Sequence, residues 1–210
     1  MRVDISHFLR ATTRTVSTRE FEGKPLRVLT AERSYPTDPA DLWEAVTNPT
    51  RIERWFMPVS GDLRVGGNFQ LEGNAGGKIL ACDAPHHFRV TWEFGGDVSW
   101  VEVNLAPIAS GTKLTLEHSA PVTDERWMEY GPGAVGIGWE LGLLGLDRHI
   151  ETNEPVTREA GMLWIGSDEG KMFIRANSVL WRDASIASGT PVEEATAAAQ
   201  RCSAAYTGEG

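Results

Sequence analysis

Apolar and polar residues alternate along the middle of the chain, and this period of two predicts β-strands. The pattern is clearest over residues 87–94, where every second residue is apolar. Leu114, Leu116 and His118 likewise share one face of a strand over residues 112–119. Short glycine-containing turns separate these strands, so the sequence predicts an antiparallel meander of five strands with one buried face.

A hairpin and two short helices precede the meander. Residues 14–35 read as two strands around a turn at Glu22–Pro25. Asp38 and Asn48 are favourable N-caps, and a proline follows each of them at the first helical position. The sequence therefore predicts two short helices, one after Asp38 and one after Asn48.

A helical period replaces the alternation after residue 121. A long helix is predicted because one apolar face recurs every three or four residues, at Val135, Trp139, Leu143 and Leu146. Glycines in the same stretch indicate either close approach to another element or room for a ligand. Three acidic residues along it are interpreted as solvated: Glu140, Asp147 and Glu151.

Two further helices are predicted near the C-terminus. The first covers residues 168–184 and is capped by Ser167 or Asp168, and the second begins at a capping box, Thr190 to Glu193. The predicted organisation is an N-terminal arm with an extra strand, a main α+β domain and a C-terminal helical extension. These parts cover residues 1–25, 26–150 and 151–210, the last beginning with a linker over 151–157.

Composition narrows the classes of partner. The chain has 210 residues, 41% of them hydrophobic, and a net charge of -9. The negative charge disfavours nucleic acid and anionic membranes as partners, and no apolar run is long enough to predict a membrane span. The N-terminus lacks the pattern of a secretory signal. Two distant cysteines, Cys82 and Cys202, indicate reduced thiols and a cytoplasmic protein.

Local motifs point to a family. The stretch from Tyr35 to Pro49, the group Trp55-Phe56-x-Pro58 and the run Gly111-Thr112-x-Leu114-Thr115-Leu116-x-His118 resemble the SRPBCC, or START-like, superfamily. Within it, the chain is most similar to the branch named after the activator of the heat-shock-protein-90 ATPase. The resemblance covers residues 26–150 and implies a helix-grip fold, in which a curved antiparallel sheet wraps on a long C-terminal helix.

The same resemblance implies a cavity between the sheet and the long helix. Members of the superfamily include lipid and hormone binders and polyketide cyclases, so the fold alone does not decide the function. Aromatic side chains can line such a cavity, or they can simply pack in the core. The predicted ligand-binding residues are Trp55, Phe56, Phe69, Trp92, His118, Trp139 and Leu143.

His118 is the one weak catalytic candidate. It is either a cavity-facing acid or base, or a histidine at the end of a strand that backbone or solvent satisfies, and the second interpretation is favoured because no partner is visible. His86 and His87 are adjacent on a strand and diverge, and no acidic or cysteine ligand has a suitable spacing. The sequence therefore predicts no metal, no cofactor and no established catalytic motif.

The predicted function is binding of a small apolar or amphipathic molecule, such as a lipid-like or aromatic metabolite. Two alternatives stay open at this point. One is an enzyme of the polyketide cyclase or hydrolase type that uses the same cavity, and the other is a module that binds a chaperone or another protein, which predicts a large exposed apolar patch. A homodimer held by the C-terminal helices is a further hypothesis.

Overall fold

The computed structural model describes residues 4–21, 23–123 and 125–209 and is α+β. Glu22, in the predicted hairpin turn, lies outside the described residues. The helices are α1 (Ile5–Ala11), α2 (Pro39–Thr47), α3 (Pro49–Ile52), α4 (Glu125–Tyr130), α5 (Gly133–Thr152), α6 (Arg158–Gly166), α7 (Asp168–Ala187) and α8 (Val192–Thr207). The strands are β1 (Thr13–Phe21), β2 (Lys24–Tyr35), β3 (Val59–Gly61), β4 (Asn68–Leu71), β5 (Gly76–Asp83), β6 (His87–Phe94), β7 (Asp97–Ile108) and β8 (Gly111–Pro121).

The strands form one curved sheet in the order β1-β2-β8-β7-β6-β5-β4-β3. Neighbouring strands from β3 to β8 pair antiparallel, as a meander joined by short turns requires. This arrangement confirms the predicted α+β helix-grip fold. The meander has six strands rather than the five expected, because Val59–Gly61 forms the short edge strand β3.

The chain divides into two compact units. The first unit contains residues 1–31, 121–141 and 159–210, and the second contains residues 32–120 and 142–158. The domain boundaries predicted near residues 25 and 150 differ from this division and stay a prediction. No helix among the described residues is long and apolar enough to cross a membrane.

The caps of α2 and α3 confirm the sequence prediction. The side chain of Asp38 accepts a hydrogen bond from the Asp41 backbone N–H at 2.9 Å, and that of Asn48 accepts from the Thr50 N–H at 3.0 Å. Each helix begins with the proline that follows its cap. A cap and a proline satisfy or remove donors that would otherwise lack partners, so both helices begin where the sequence predicts.

The C-terminal helices agree only partly with the sequence. Ser167 caps α7 as predicted, through a 3.2 Å bond from the Gly170 N–H. The predicted capping box at Thr190 is wrong, because α8 has Pro191 at its N-cap and no side-chain cap hydrogen bond. The Thr190 hydroxyl instead accepts a hydrogen bond from Ser185 at 2.9 Å. Helix α6 was not predicted.

Two acidic residues of α5 are held in ion pairs, which corrects the prediction that they are solvated. Glu140 is fully buried and pairs with Arg14 on β1, whose Nε donates to Oε1 at 2.6 Å. Asp147 accepts from Arg33 on β2 at 2.7 Å. The partners are separated by more than 100 residues, so helical spacing gives no sign of either pair. Glu151 is exposed, as predicted.

One face of the sheet in the second unit lies against α5. Arg33 and Tyr35 of β2 point to that face, because Arg33 pairs with Asp147 and the Tyr35 hydroxyl donates to the Leu143 carbonyl. Glu32 points to the opposite face, where it accepts hydrogen bonds from Lys113 and Thr115 of β8. Side chains alternate along strands. The buried residues Leu114, Leu116 and His118 therefore share the face that α5 covers.

Candidate functional site

A row of aromatic rings crosses this covered face of the sheet. The Phe69 and Trp92 ring centroids are 6.3 Å apart, and the Trp92 and His118 centroids are 6.2 Å apart. Trp92 lies opposite Ser99, and His118 lies opposite Val101. The structure thus brings together three of the residues that the sequence predicts to bind a ligand, across strands β4, β6 and β8.

Gly77 makes the contact between Phe69 and Trp92 possible. Strand β5 lies between their strands, and Gly77 on β5 is directly opposite Phe69. A Cβ atom at this position would lie 2.2 Å from the Thr91 carbonyl oxygen, so no other residue fits without a shift of the backbone. Since glycine has no side chain, the two rings approach across the intervening strand.

His118 is a buried member of this row and has a specific polar partner. Its Nε2 is 2.9 Å from the Ser99 hydroxyl, which itself donates to the Trp92 carbonyl at 3.1 Å. The tautomer of His118 decides which of the two groups donates the hydrogen bond in this pair. The favoured prediction named backbone or solvent as the partner, whereas this partner is a side chain on the neighbouring strand.

Burial lowers the pKa of His118 to about 4. Its imidazole is therefore neutral near pH 7, and the ring stays compatible with an apolar surrounding. With this pKa the imidazole has little driving force to remove the proton of the Ser99 hydroxyl near pH 7.

Trp55 and Phe56 lie beside the second half of α5. Their rings stack with centroids 5.5 Å apart, and the Trp55 indole donates to the Ala45 carbonyl at 2.9 Å. A Cβ atom at Gly142 would lie 3.2 Å from the Phe56 ring, and one at Gly145 would lie 2.4 Å from the Trp55 carbonyl oxygen. These two glycines therefore allow close approach between the helix and this aromatic pair.

The remaining two predicted residues are both on α5. Leu143 is buried in the second unit, and its carbonyl accepts the Tyr35 hydroxyl at 3.3 Å. Burial raises the pKa of Tyr35, so this hydroxyl keeps its proton and remains a donor. Trp139 belongs to the first unit and is half-buried there. A ligand-binding role for either residue stays a prediction.

A second polar cluster in this unit was missed by the sequence analysis. Arg51 pairs with Asp41 at 2.7 Å, and its Nε is 3.4 Å from Nε2 of the buried His149 on α5. Burial, followed by the charges of Arg51 and Arg54, lowers the pKa of His149. Neutral His149 accepts from Arg51, so the cluster ties the helix pair to α5. No three residues in the described ranges are grouped as a metal site would require.

The long helix against one face of an antiparallel meander, with two short helices after the first core strand, defines a helix-grip protein. Residues 36–151 match the family model of the activator of Hsp90 ATPase homolog 1-like proteins. The chain belongs to this family, which confirms the resemblance inferred from its motifs. Comparison with curated proteins gives no match.

Solved structures agree with this assignment. The crystal structure of CalU16 from Micromonospora echinospora is 32% identical, with a TM-score of 0.68, and the match covers 83% of this chain and 98% of that one. MLL2253 from Mesorhizobium loti is 25% identical, with a TM-score of 0.55, over 61% of this chain and 99% of that one. EF2215 from Enterococcus faecalis shares the fold at 15% identity, with a TM-score of 0.61, over 88% and 98% of the two chains.

Proposed function

We propose that this protein binds a small apolar or amphipathic molecule on the sheet face that carries Phe69, Trp92 and His118. The row of rings is the observation that carries the proposal, together with membership of the family. Aromatic surfaces with a few fixed polar groups are typical of small-molecule sites. Phe69 and Trp92 are only half-buried, so both keep surface that a ligand can cover.

The polar groups of this site favour a ligand without a full charge. His118 is neutral, and its partner Ser99 is a hydroxyl. A charged ligand group placed against them would lose water without gaining an opposite charge, which costs free energy. We therefore propose a lipid-like or aromatic molecule with at most a hydroxyl or carbonyl group near His118.

A cyclase-type or hydrolase-type enzyme is the alternative that uses the same residues. Its supporting observation is the burial of His118 among the rings. A base with a pKa of about 4 has little driving force to remove a proton at neutral pH. The geometry therefore supports binding better than general-base catalysis by His118.

A homodimer held by the C-terminal helices is a further proposal. The extra helices α7 and α8 already pack within the first unit, where Ser178 donates to the Ala199 carbonyl at 2.8 Å, so a homodimer is not needed to bury them. Light scattering on the full chain tests the homodimer hypothesis.

Cys82 is an exposed free thiol and Cys202 is a buried one, which supports the proposal of a reducing, cytoplasmic location.

Tryptophan-resolved NMR tests the proposed site. Protein labelled with ¹⁵N at its indole nitrogens is screened against uncharged aromatic and lipid-like compounds. We expect binders to shift the Trp92 and Trp55 signals and to leave Trp164, in the first unit, unchanged. The substitution Trp92→Leu should weaken binding about tenfold or more, since a ring that stacks on a ligand contributes over 1 kcal/mol.

Trp164→Phe serves as the matched control, because it also removes one tryptophan. A screen in which no compound shifts Trp92, or in which Trp92→Leu binds as tightly as the wild type, would show that the ring row is core packing. Turnover of a bound compound that is lost in His118→Gln would instead support the enzyme alternative.

A further inference from the structure

The first unit contains a cavity that no part of the proposed function uses. Its volume is about 490 Å³, within the range of sites that hold small molecules. It is bordered by residues of β1, β2, α4, the end of α7 and the start of α8. Apolar lining comes from Val16, Trp127, Met128, Pro191, Ala195 and Ala198.

Arg27 gives this cavity its distinctive chemistry. The guanidinium of Arg27 lies 5.7 Å from the centre of the Trp127 ring. Its Nη1 is buried and has no hydrogen-bond partner among the residues that the structure describes. A buried N–H group of a cation that has no acceptor costs more free energy than an unpaired N–H of a neutral group. An acceptor of opposite charge would therefore bind favourably to Arg27.

Arg14 shows that the same unit can neutralise an arginine internally. Its guanidinium forms a two-point ion pair with the carboxylate of Glu140. The Arg27 side chain has no ion pair of this kind within the described ranges, although it lines a cavity. A ligand carboxylate in the cavity could form with Arg27 the same two-point ion pair that Glu140 forms with Arg14.

The other polar groups of the lining favour the same class of ligand. Ser17 and Thr18 supply hydroxyl groups that can donate to an anion. The first turn of α8 also borders the cavity, and the backbone N–H groups of a first helical turn favour negative charge. Glu194 is the acidic residue of the lining, and it opposes an anion placed on its own side.

We propose that this cavity is a second binding site, specific for a small organic carboxylate whose apolar body rests on the Trp127 side. The carboxylate accepts hydrogen bonds from Arg27, and the apolar lining covers the rest of the molecule. The site differs in chemistry from the ring row of the second unit, which offers no cation to a ligand at Phe69, Trp92 or His118.

Phenylacetate and its uncharged analogue phenylacetamide provide a matched pair of probes. We expect calorimetry to show that phenylacetate binds about tenfold or more tightly than phenylacetamide, because a charge-assisted hydrogen bond is stronger than a neutral one. Arg27→Met should weaken phenylacetate binding by a similar factor. Arg175→Met is the control, since it removes one positive charge from an exposed site that pairs with Glu209.

Indole NMR signals distinguish this site from the one proposed above. Phenylacetate should shift the Trp127 signal and leave Trp92 unchanged, and this result does not depend on whether the ring row binds anything. The proposal would be overturned if the protein bound the two probes with equal affinity, or if Arg27→Met bound phenylacetate as tightly as the wild type. It would also be overturned if millimolar phenylacetate did not bind. If Arg27→Met does not fold, Arg27→Lys is used, which keeps the charge but should lose affinity because it loses the two-point geometry.

Discussion

Each half of α5 contains glycines and an ion-paired acidic residue, but the two halves differ in how tightly these residues are packed. In the first unit, a Cβ atom at Gly136 would lie 2.4 Å from the ring of Trp181, which is fully buried. In the second unit, a Cβ atom at Gly142 would lie 3.2 Å from the ring of Phe56, which is half-buried. A side chain at Gly136 therefore has no room, whereas Gly142 faces a ring that can shift.

The ion pairs of the two halves also differ in how far they are exposed. Glu140 is fully enclosed with Arg14, while the Asp147 side chain that pairs with Arg33 is 19% exposed. The part of α5 around Gly136 and Glu140 is therefore expected to contribute most to stability. The second half contributes to the surroundings of the proposed ligand site, where the Phe56 ring can shift at a low cost in free energy.

The largest effect is expected at Glu140. Replacing it by Gln keeps the shape but leaves the Arg14 guanidinium buried without a counter-charge, which should destabilise the protein by about 3–5 kcal/mol. Urea unfolding monitored by circular dichroism measures this change. The pair Arg14→Met with Glu140→Met should recover much of the loss, because no charge then remains unpaired.

Asp147→Asn is the comparison for the second half of α5. It should cost less than Glu140→Gln, since the Asp147 side chain is partly exposed and water screens its interaction with Arg33. Equal losses for the two single variants would contradict the difference between the two halves.

The next effect depends on pH and on His118. Its folded pKa, about 4, is below the ordinary value of 6.5, so the unfolded chain binds a proton first as the pH falls. Stability from this group is complete above pH 6.5 and declines by about 3 kcal/mol down to pH 4. The measurement is urea unfolding of the wild type and of His118→Gln at several pH values. The variant should lose stability less steeply between pH 6.5 and 4, and parallel curves would mean that His118 is not a buried neutral group.

The smallest effects compare the two glycines directly. Gly136→Ala should destabilise the protein by about 1–3 kcal/mol, because the clash with Trp181 exceeds the gain in helix propensity. Gly142→Ala should change stability by less than about 1 kcal/mol, because the Phe56 ring can shift and the propensity gain offsets the contact. Thermal unfolding of both variants checks the order, and a greater loss from Gly142→Ala would reverse the comparison.

Local patterns explain which parts of the fold the sequence could predict. The alternation that ends at His118 identified the buried face of β8, and Asp38 and Asn48 identified the starts of α2 and α3. Helix α6 was missed because its apolar residues form no periodic stripe: Met162 and Leu163 are exposed, while Trp164 is buried.

The sequence could predict which side chains of each strand point to the candidate site, but it could not predict the contacts between strands. Alternation placed Trp92 and His118 on buried faces, but the contact of Phe69 with Trp92 depends on Gly77 in the intervening strand. The Ser99 partner of His118 is 19 residues away. Arg27 and its cavity had no signal in the sequence, because a missing hydrogen-bond partner is a property of the packed chain.

The most direct test of the central claim is a crystal structure of the protein with the uncharged compound that binds most tightly in the NMR screen. The account predicts electron density for the compound in contact with Phe69 and Trp92, with a polar atom of the ligand within hydrogen-bond distance of His118 or Ser99. Ligand density elsewhere, with the ring row closed and unchanged, would contradict it.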